Sequence, residues 1–282
     1  MKKLFVLIML AFVAVGTKAG EPIRISPTLN VGDVLRYKVK SDVKIHQGKD
    51  STVLQMVLLP WIKVVSKNET GPVIVTHSSL QNVTVSGSDP NLSKVKESTK
   101  GANDLVASIS LKIQLDKYGK PVSLLNTDEV KDVYTAGYFK ILKRVSDTEI
   151  TDEAKWKEDM MPMVKGYVDM LCKLEHLIAE QFGNTAFYNL IGIPLQNGEI
   201  PASMIINDNT QKMITGARRL NMSVSAATGE NVVVEAKGQE NGNEIYGKWR
   251  FSKGKITSGN VRVKINIVNQ IISSIYTVES IN

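Results

Sequence analysis

The chain has 282 residues, 43% of them hydrophobic and 22% charged, with three His and a single Cys. This composition is typical of a globular protein and excludes a disordered chain, a collagen-like fibre and a small disulfide-stapled domain. The formal net charge is +7, from 35 Lys and Arg against 28 Asp and Glu. A modest excess spread along the chain is weak support for nucleic acid binding, so we predict no nucleic acid partner.

The amino terminus has the pattern of a secretory signal peptide. Two Lys precede an unbroken apolar run at 4–15, and the small residues Thr17 and Ala19 then supply a cleavage signal. The run is shorter than the roughly 20 residues that span a membrane. We therefore predict a signal peptide of residues 1–19, cleavage before Gly20, and a soluble mature chain with no transmembrane segment. Cleavage would leave 32 basic residues against 28 acidic ones, a net charge of +4.

The lone Cys172 bears on both anchoring and redox state. A lipid-anchored exported protein needs a Cys directly after the apolar run, and none is present there. In an oxidising compartment, one Cys cannot form a bridge within the chain. We therefore predict a buried, inert thiol in a periplasmic or extracellular protein that is not lipid-anchored.

The sequence pattern in the first half of the mature chain predicts antiparallel strands. From Val34 apolar and polar residues alternate, which is typical of a strand with one buried and one wet face. Two turns, at 47–50 and 68–71, divide this region into a meander, and a hairpin covers residues 109–125. We predict strands over 33–125, with residues 86–104 forming a long exposed loop.

The period changes to that of helices over 127–182. Asn126 and Glu129 predict a capping box at the start of the first helix. A second helix opens at 151–153, and Pro162 is well placed as the first residue of a third helix that ends at Phe182.

Alternation then returns, and strands are predicted over 199–280. The order of strands, helices and strands predicts a single α+β domain over 20–282. Its fold would be a large curved antiparallel sheet, an open or half barrel, with the central helical block packed on its concave face.

Enzymatic signals are poor. The sequence has no GxGxxG, GxxxxGK[ST], HExxH, GxSxG or CxxC motif, and its three His are scattered. Cys172, His176 and Glu180 would share one face of the third helix, but that face is polar and no third catalytic group accompanies them. We therefore predict no catalytic residue, no metal site and no cofactor, and a protein that is not an enzyme.

An apolar stripe on the third helix is the candidate binding site. It consists of Met163, Tyr167, Met170 and Leu174. Packing into the core is one interpretation of this stripe. The other is a helical lid over an apolar cavity, because flexible Met side chains adapt to irregular apolar partners.

Two motifs resemble those of a family of uncharacterised exported bacterial proteins. The first is Gly32-Asp33 followed by Tyr37 in the opening strand, and the second is Leu115-Asp116 followed by Gly119-Lys120 in a hairpin before the helices. The resemblance implies export, but the family has no assigned activity and contributes no site residues.

Two functions are consistent with these features, and an enzyme with an unrecognised site is a weaker third. The first is a non-catalytic carrier or sensor that binds an apolar or lipid-like ligand between sheet and helices. The second is a structural or interaction module of the cell envelope with a filled core. A cavity above about 300 Å³ with an open mouth would favour the first.

Overall fold

The computed structural model describes residues 22–146, 150–206, 218–228 and 230–281. The predicted signal peptide of residues 1–19 lies outside the described residues. The strands are β1 Ile23–Arg24, β2 Val34–Gln47, β3 Asp50–Lys67, β4 Pro72–Gly87, β5 Ser110–Leu115, β6 Pro121–Leu124, β7 Pro194–Leu195, β8 Gly198–Pro201, β9 Arg219–Thr228, β10 Asn231–Glu240, β11 Asn243–Ser252, β12 Lys255–Ile267 and β13 Gln270–Ile281. The helices are α1 Leu92–Val106, α2 Thr127–Val145, α3 Glu153–Leu171 and α4 Leu174–Gln181.

Eleven of the strands form one antiparallel sheet in the order β6-β5-β4-β3-β2-β13-β12-β11-β10-β9-β8. The amino-terminal meander and the carboxyl-terminal meander meet at its centre, where β2 pairs with β13 from Arg36↔Ile281 to Gln47↔Gln270. The sheet is open, and the four helices pack on one of its sides. The predicted fold class is therefore confirmed. We call the helix-covered side the covered face.

Period-two alternation explains how the long strands divide their side chains. In β2, Tyr37 and Val39 are buried on the covered face, whereas Arg36 and Lys40 are exposed on the other. In β4, Ile74, Thr76 and Ser78 are all buried. Because successive side chains of a strand point to opposite faces, this pattern keeps the apolar residues under the helices.

Helix α1 corrects the prediction of an exposed loop at 86–104. Leu92, Val95 and Leu105 have helical spacing, and Leu105 is buried against α2. Two glycines allow this close contact: a Cβ on Gly101 would lie 2.9 Å from Ile141 Cγ1, and a Cβ on Gly137 would lie 2.5 Å from Leu105 Cδ1. Residues that look like loop formers in the sequence therefore make a tight helix crossing.

The predicted third helix over 162–182 is also wrong in its bounds. Pro162 lies inside α3, on its exposed side, and does not begin a new helix. The break comes ten residues later, where Cys172 caps α3 and Lys173 precedes α4. The residues assigned to one helix thus belong to two helices.

Asn126 precedes α2 as predicted, but it does not form the predicted capping box. Its side chain makes no capping hydrogen bond to the backbone of the first turn, although its Nδ2 donates to the Glu129 carboxylate at 3.2 Å. Instead its Oδ1 accepts from the Lys112 backbone N–H at 2.9 Å, and its Nδ2 donates to the Ser110 carbonyl at 2.9 Å. Asn126 therefore fixes the start of α2 to strand β5.

The helices are stacked outward from the sheet. Helix α1 packs on β4, α2 packs on α1, and α3 packs on α2, while α4 contacts β4 and β6 directly. In the part of the chain that the structure describes, none of the helices has the length and apolar character needed to cross a membrane.

Candidate functional site

An open cleft of about 410 Å³ lies beside α4, and we call it the outer cleft. Helix α4 forms one wall, the segment 184–206 forms the other, and residues 120–121 close one end. Its lining residues are Lys120, Pro121, Leu174, Glu175, His176, Ile178, Ala179, Asn184, Tyr188, Asn189, Ile193, Ser203, Met204, Ile205 and Ile206.

The chain after α4 takes an unusual path to build the second wall. Gly183, Asn184 and Ala186 all have positive φ angles, of 60°, 57° and 56°. This conformation costs a residue with a Cβ about 1–2 kcal/mol. The Trp249 indole N–H donates to the Thr185 carbonyl at 2.8 Å and holds this turn on the sheet. Backbone strain is therefore located in the segment that forms the second wall of the cleft.

A hydrogen bond joins two parts of the second wall. The Asn189 side-chain amide donates to the Met204 carbonyl at 3.0 Å. Asn189 belongs to a 3₁₀ helix, Phe187–Leu190, and Met204 ends another, Ala202–Met204. This bond keeps the wall in place across the width of the cleft.

The cleft combines apolar walls with a polar rim. Leu174, Ile178, Ile193, Met204 and Ile205 supply the apolar surface, and the polar lining residues are Lys120, Glu175, His176, Asn184, Asn189 and Ser203. Within the described ranges, no group of three or more His, Cys, Asp or Glu side chains is arranged to hold a metal ion. The arrangement suits an organic molecule with a substantial apolar part.

A second cavity of about 60 Å³, the inner pocket, lies between the sheet and the residues that cover it. Leu35, Tyr37, Ile62, Ile74, Thr76, Ile113 and Leu115 of the covered face form its floor. Ile178, Phe182, Phe187, Tyr188 and Ile191 form its roof, and Pro27, Leu29, Gly119, Pro121, Gly254, Lys255 and Ile256 complete it. The ring centroids of Tyr37, Phe182 and Phe187 lie 5.3–6.0 Å apart, which gives the pocket rigid aromatic walls.

A third cavity, of about 150 Å³, adjoins the other side of the outer cleft. It shares Asn184, Ile205 and Ile206 with the cleft. Its floor is formed by covered-face residues of β2, β12 and β13, namely Val43, Val261, Val263, Ile265, Ile272, Ser274 and Tyr276. The outer cleft is therefore flanked by apolar surface on two sides.

The four residues of the predicted binding stripe do not lie together. Met163 and Tyr167 are 41% and 49% exposed on α3, and Met170 is half-buried near its end. Leu174 is also half-buried, and it is the one stripe residue that lines the outer cleft. On α3 the inward positions are taken by Val164 and Val168 instead.

The Cys172, His176 and Glu180 series is divided by the helix break. Cys172 is free and buried, and burial raises the pKa of its thiol to about 11. His176 is on the rim of the outer cleft. Burial raises the pKa of Glu180 to about 7, although the Tyr134 hydroxyl donates a hydrogen bond to this carboxylate and opposes the shift.

The other two His do not line the outer cleft. His46 is exposed at the end of β2. His77 is half-buried on β4, and its Nδ1 lies 3.1 Å from the Ile109 carbonyl oxygen. This contact agrees with the role of a structural His.

Most cleft residues were not identifiable from the sequence pattern. Tyr188, Ile193, Met204 and Ile205 belong to a stretch whose Gly and Pro residues indicate loops, and it has no regular period. The one usable signal was the density of Ile and Met in that otherwise polar stretch.

Comparisons with known proteins do not identify a family for this chain. No protein-family model matches the chain. No curated protein matches it either. The resemblance to exported bacterial proteins therefore stays a prediction.

Among solved structures, the chain is similar to lipovitellin, in a structure concerned with lipid–protein interactions in that protein. The TM-score is 0.41 at 8% sequence identity. The match covers 90% of this chain but only 26% of the lipovitellin chain, so this chain spans about a quarter of its length.

Proposed function

We propose that the protein is an exported, non-catalytic binding protein for an apolar or amphipathic small molecule. The observation that carries the proposal is the outer cleft, whose volume of about 410 Å³ falls in the range of small-molecule sites. Its apolar walls would cover the body of the ligand, and its polar rim would orient it. The predicted signal peptide of residues 1–19 would deliver the protein to the periplasm or outside the cell.

Backbone strain beside the cleft supports a binding role. Asn184 and Ala186 are non-glycine residues with positive φ, and both belong to the turn that forms the second wall. Such residues persist only where the surrounding structure holds them, and they are concentrated at binding and catalytic sites.

A second candidate is a structural or interaction module of the cell envelope with a filled core. The buried side chains of α2 and α3 favour it, because Val130, Tyr134, Val164 and Val168 are all buried. If the outer cleft binds nothing, this second function is the better explanation of the fold.

Titration with the fluorescent apolar probe anilinonaphthalene sulfonate tests the proposal. The mature chain, recovered from the exported fraction with Gly20 at its amino terminus, should bind the probe saturably. Leu174→Ala should weaken this binding about fivefold, because it removes apolar contact area from the cleft wall.

Met163→Ala is the matched control, since Met163 came from the same predicted stripe but is exposed on α3. It should leave probe affinity unchanged. Equal losses in the two variants, or no saturable binding by the wild type, would contradict binding in the cleft. Retention of Met1 in the recovered protein would contradict export.

A further inference from the structure

The floor of the inner pocket contains a polar group that the fold does not use. Thr76 is fully buried on β4, at 0% exposure, and lines this pocket. Within the described part of the chain, its hydroxyl oxygen has no hydrogen-bond partner. Leaving a buried hydroxyl unpaired costs about 1–3 kcal/mol, so the fold is less stable with Thr76 than with an apolar residue of the same shape.

The surroundings of Thr76 suit an organic group better than water. A volume of about 60 Å³ corresponds to roughly two waters at their liquid volume, and a buried water needs two to four polar partners. Most of the lining side chains are aliphatic or aromatic. The ammonium of Lys255 lies 3.7 Å from the Asp33 carboxylate and is already paired.

The inner pocket adjoins the outer cleft. Pro121, Ile178 and Tyr188 line both cavities. A molecule held in the cleft would therefore contact three side chains that also line the inner pocket, of which Tyr188 is the largest. Rotation of the half-buried Tyr188 ring is the simplest way to join the two cavities.

We infer that the ligand is an elongated amphiphile with one uncharged oxygen-bearing end, a hydroxyl or a carbonyl. This inference rests on the proposed function of the cleft. The oxygen enters the inner pocket and hydrogen-bonds to the Thr76 hydroxyl, which can donate or accept. The apolar body lies along the walls of the outer cleft. A carboxylate end is disfavoured, because among the described residues no unpaired cation lines the pocket to offset the cost of burying its charge.

Displacement of anilinonaphthalene sulfonate by octanol, octanoate and nonane tests the inference. Wild-type protein should bind octanol more tightly than octanoate. Thr76→Val should weaken octanol binding about fivefold to tenfold, the loss expected for one buried hydrogen bond, and leave nonane binding unchanged. The same substitution should leave the melting temperature unchanged or raise it, because it removes an unpaired hydroxyl.

Two further variants separate the hydroxyl from packing. Thr76→Ser keeps the hydroxyl and should keep the preference for octanol. Ser78→Ala is the matched control: Ser78 also has a buried hydroxyl without a partner in the described residues, two positions along the same strand, but it does not line the inner pocket. It should leave octanol binding unchanged.

The outcomes distinguish the two proposals. If the probe binds wild type and Thr76→Val leaves octanol affinity intact, or weakens octanol and nonane equally, the role of Thr76 is wrong while the cleft proposal stands. If Ser78→Ala weakens octanol as much as Thr76→Val does, the effect belongs to the strand and the inference is again wrong. If neither probe nor octanol binds wild type, both proposals are wrong.

Discussion

The two parts of the helical layer relate to the sheet in different ways. Helix α3 has 19 residues and an apolar stripe in its sequence, but it packs on α2 and leaves Met163 and Tyr167 exposed. Helix α4 has only eight residues, yet it lies on the sheet and buries Leu177 and Ile178. Of these two helices, only α4 lines the outer cleft and the inner pocket. Contact with the sheet therefore predicts which helix lines these two cavities, and the length of the apolar stripe does not.

The two parts also differ in how their buried side chains are arranged. Val130 and Tyr134 of α2 and Val164 and Val168 of α3 are all buried. The inner pocket and the outer cleft both lie along α4 and the segment that follows it. Substitutions on the two sides should thus differ in what they change, stability or binding.

The largest expected effect is at the contact that holds the α4 side on the sheet. Trp249→Ala should lower the free energy of unfolding by about 4 kcal/mol, because it empties a fully buried site and leaves the Thr185 carbonyl unpaired. Urea unfolding of the variant and wild type measures this loss.

Trp249→Phe is the control for the hydrogen bond alone. It keeps a buried aromatic ring and should lose less than half as much stability as Trp249→Ala. A loss below 1 kcal/mol for the alanine variant would mean that the turn after α4 is held by other contacts.

An intermediate effect is expected at the junction of the two parts, where Tyr134 of α2 donates to Glu180 of α4. The pKa of Glu180 is about 7 in the folded protein, against an ordinary value of 4.5. The folded state therefore binds this proton more tightly than the unfolded chain does. Protonated Glu180 therefore stabilises the folded state by about 3 kcal/mol below about pH 4.5, and this stabilisation is lost as the pH rises through 7.

Glu180→Gln should remove this pH dependence, because the amide keeps a neutral partner for Tyr134. Thermal unfolding should show a higher melting temperature than wild type at pH 8 and little difference at pH 5. A wild-type stability that rises between pH 5 and 8, with the variant following it in parallel, would contradict the burial of a protonated Glu180.

The smallest effects on stability are expected on α3, where replacing the larger of two side chains should cost less than replacing the smaller one. Tyr167→Ala should cost about 1 kcal/mol or less, since the ring is half exposed and mainly stacks on Tyr138 at 6.2 Å. Val168→Ala removes a smaller but buried side chain and should cost about 2 kcal/mol. Urea unfolding of both variants tests the helix orientation, and a greater loss for Tyr167→Ala would mean that α3 is turned the other way.

Strands were predictable from the sequence, because alternation alone identifies a half-buried strand. The buried Tyr37 and Val39 and the exposed Lys40 follow the predicted pattern. The pairing of β2 with β13 was not predictable, since no local pattern identifies a partner more than 200 residues away. The open antiparallel sheet was still predictable, because strands with one apolar face need a layer of helices to cover that face.

Helix α1 and the cleft were missed for two different physical reasons. Gly101 was interpreted as a loop residue, but it is where α2 approaches closely. The cleft wall at 184–206 consists mostly of turns and short 3₁₀ helices, so it has no period to detect. The stripe at Met163 and Tyr167 has the right spacing for burial, but spacing cannot tell which helix lies next to the sheet.

The central pairing of β2 with β13 has a consequence for how the chain folds. Until Ile281 is available to pair with Arg36, the two meanders each present a long unpaired edge, β2 in one and β12 in the other. Contacts between such distant residues slow folding, and exposed strand edges promote aggregation. Because β13 joins the two halves, the sheet cannot be completed until residues 270–281 have been synthesised. Removal of β13 should therefore yield insoluble protein, even though this strand contributes little to the outer cleft.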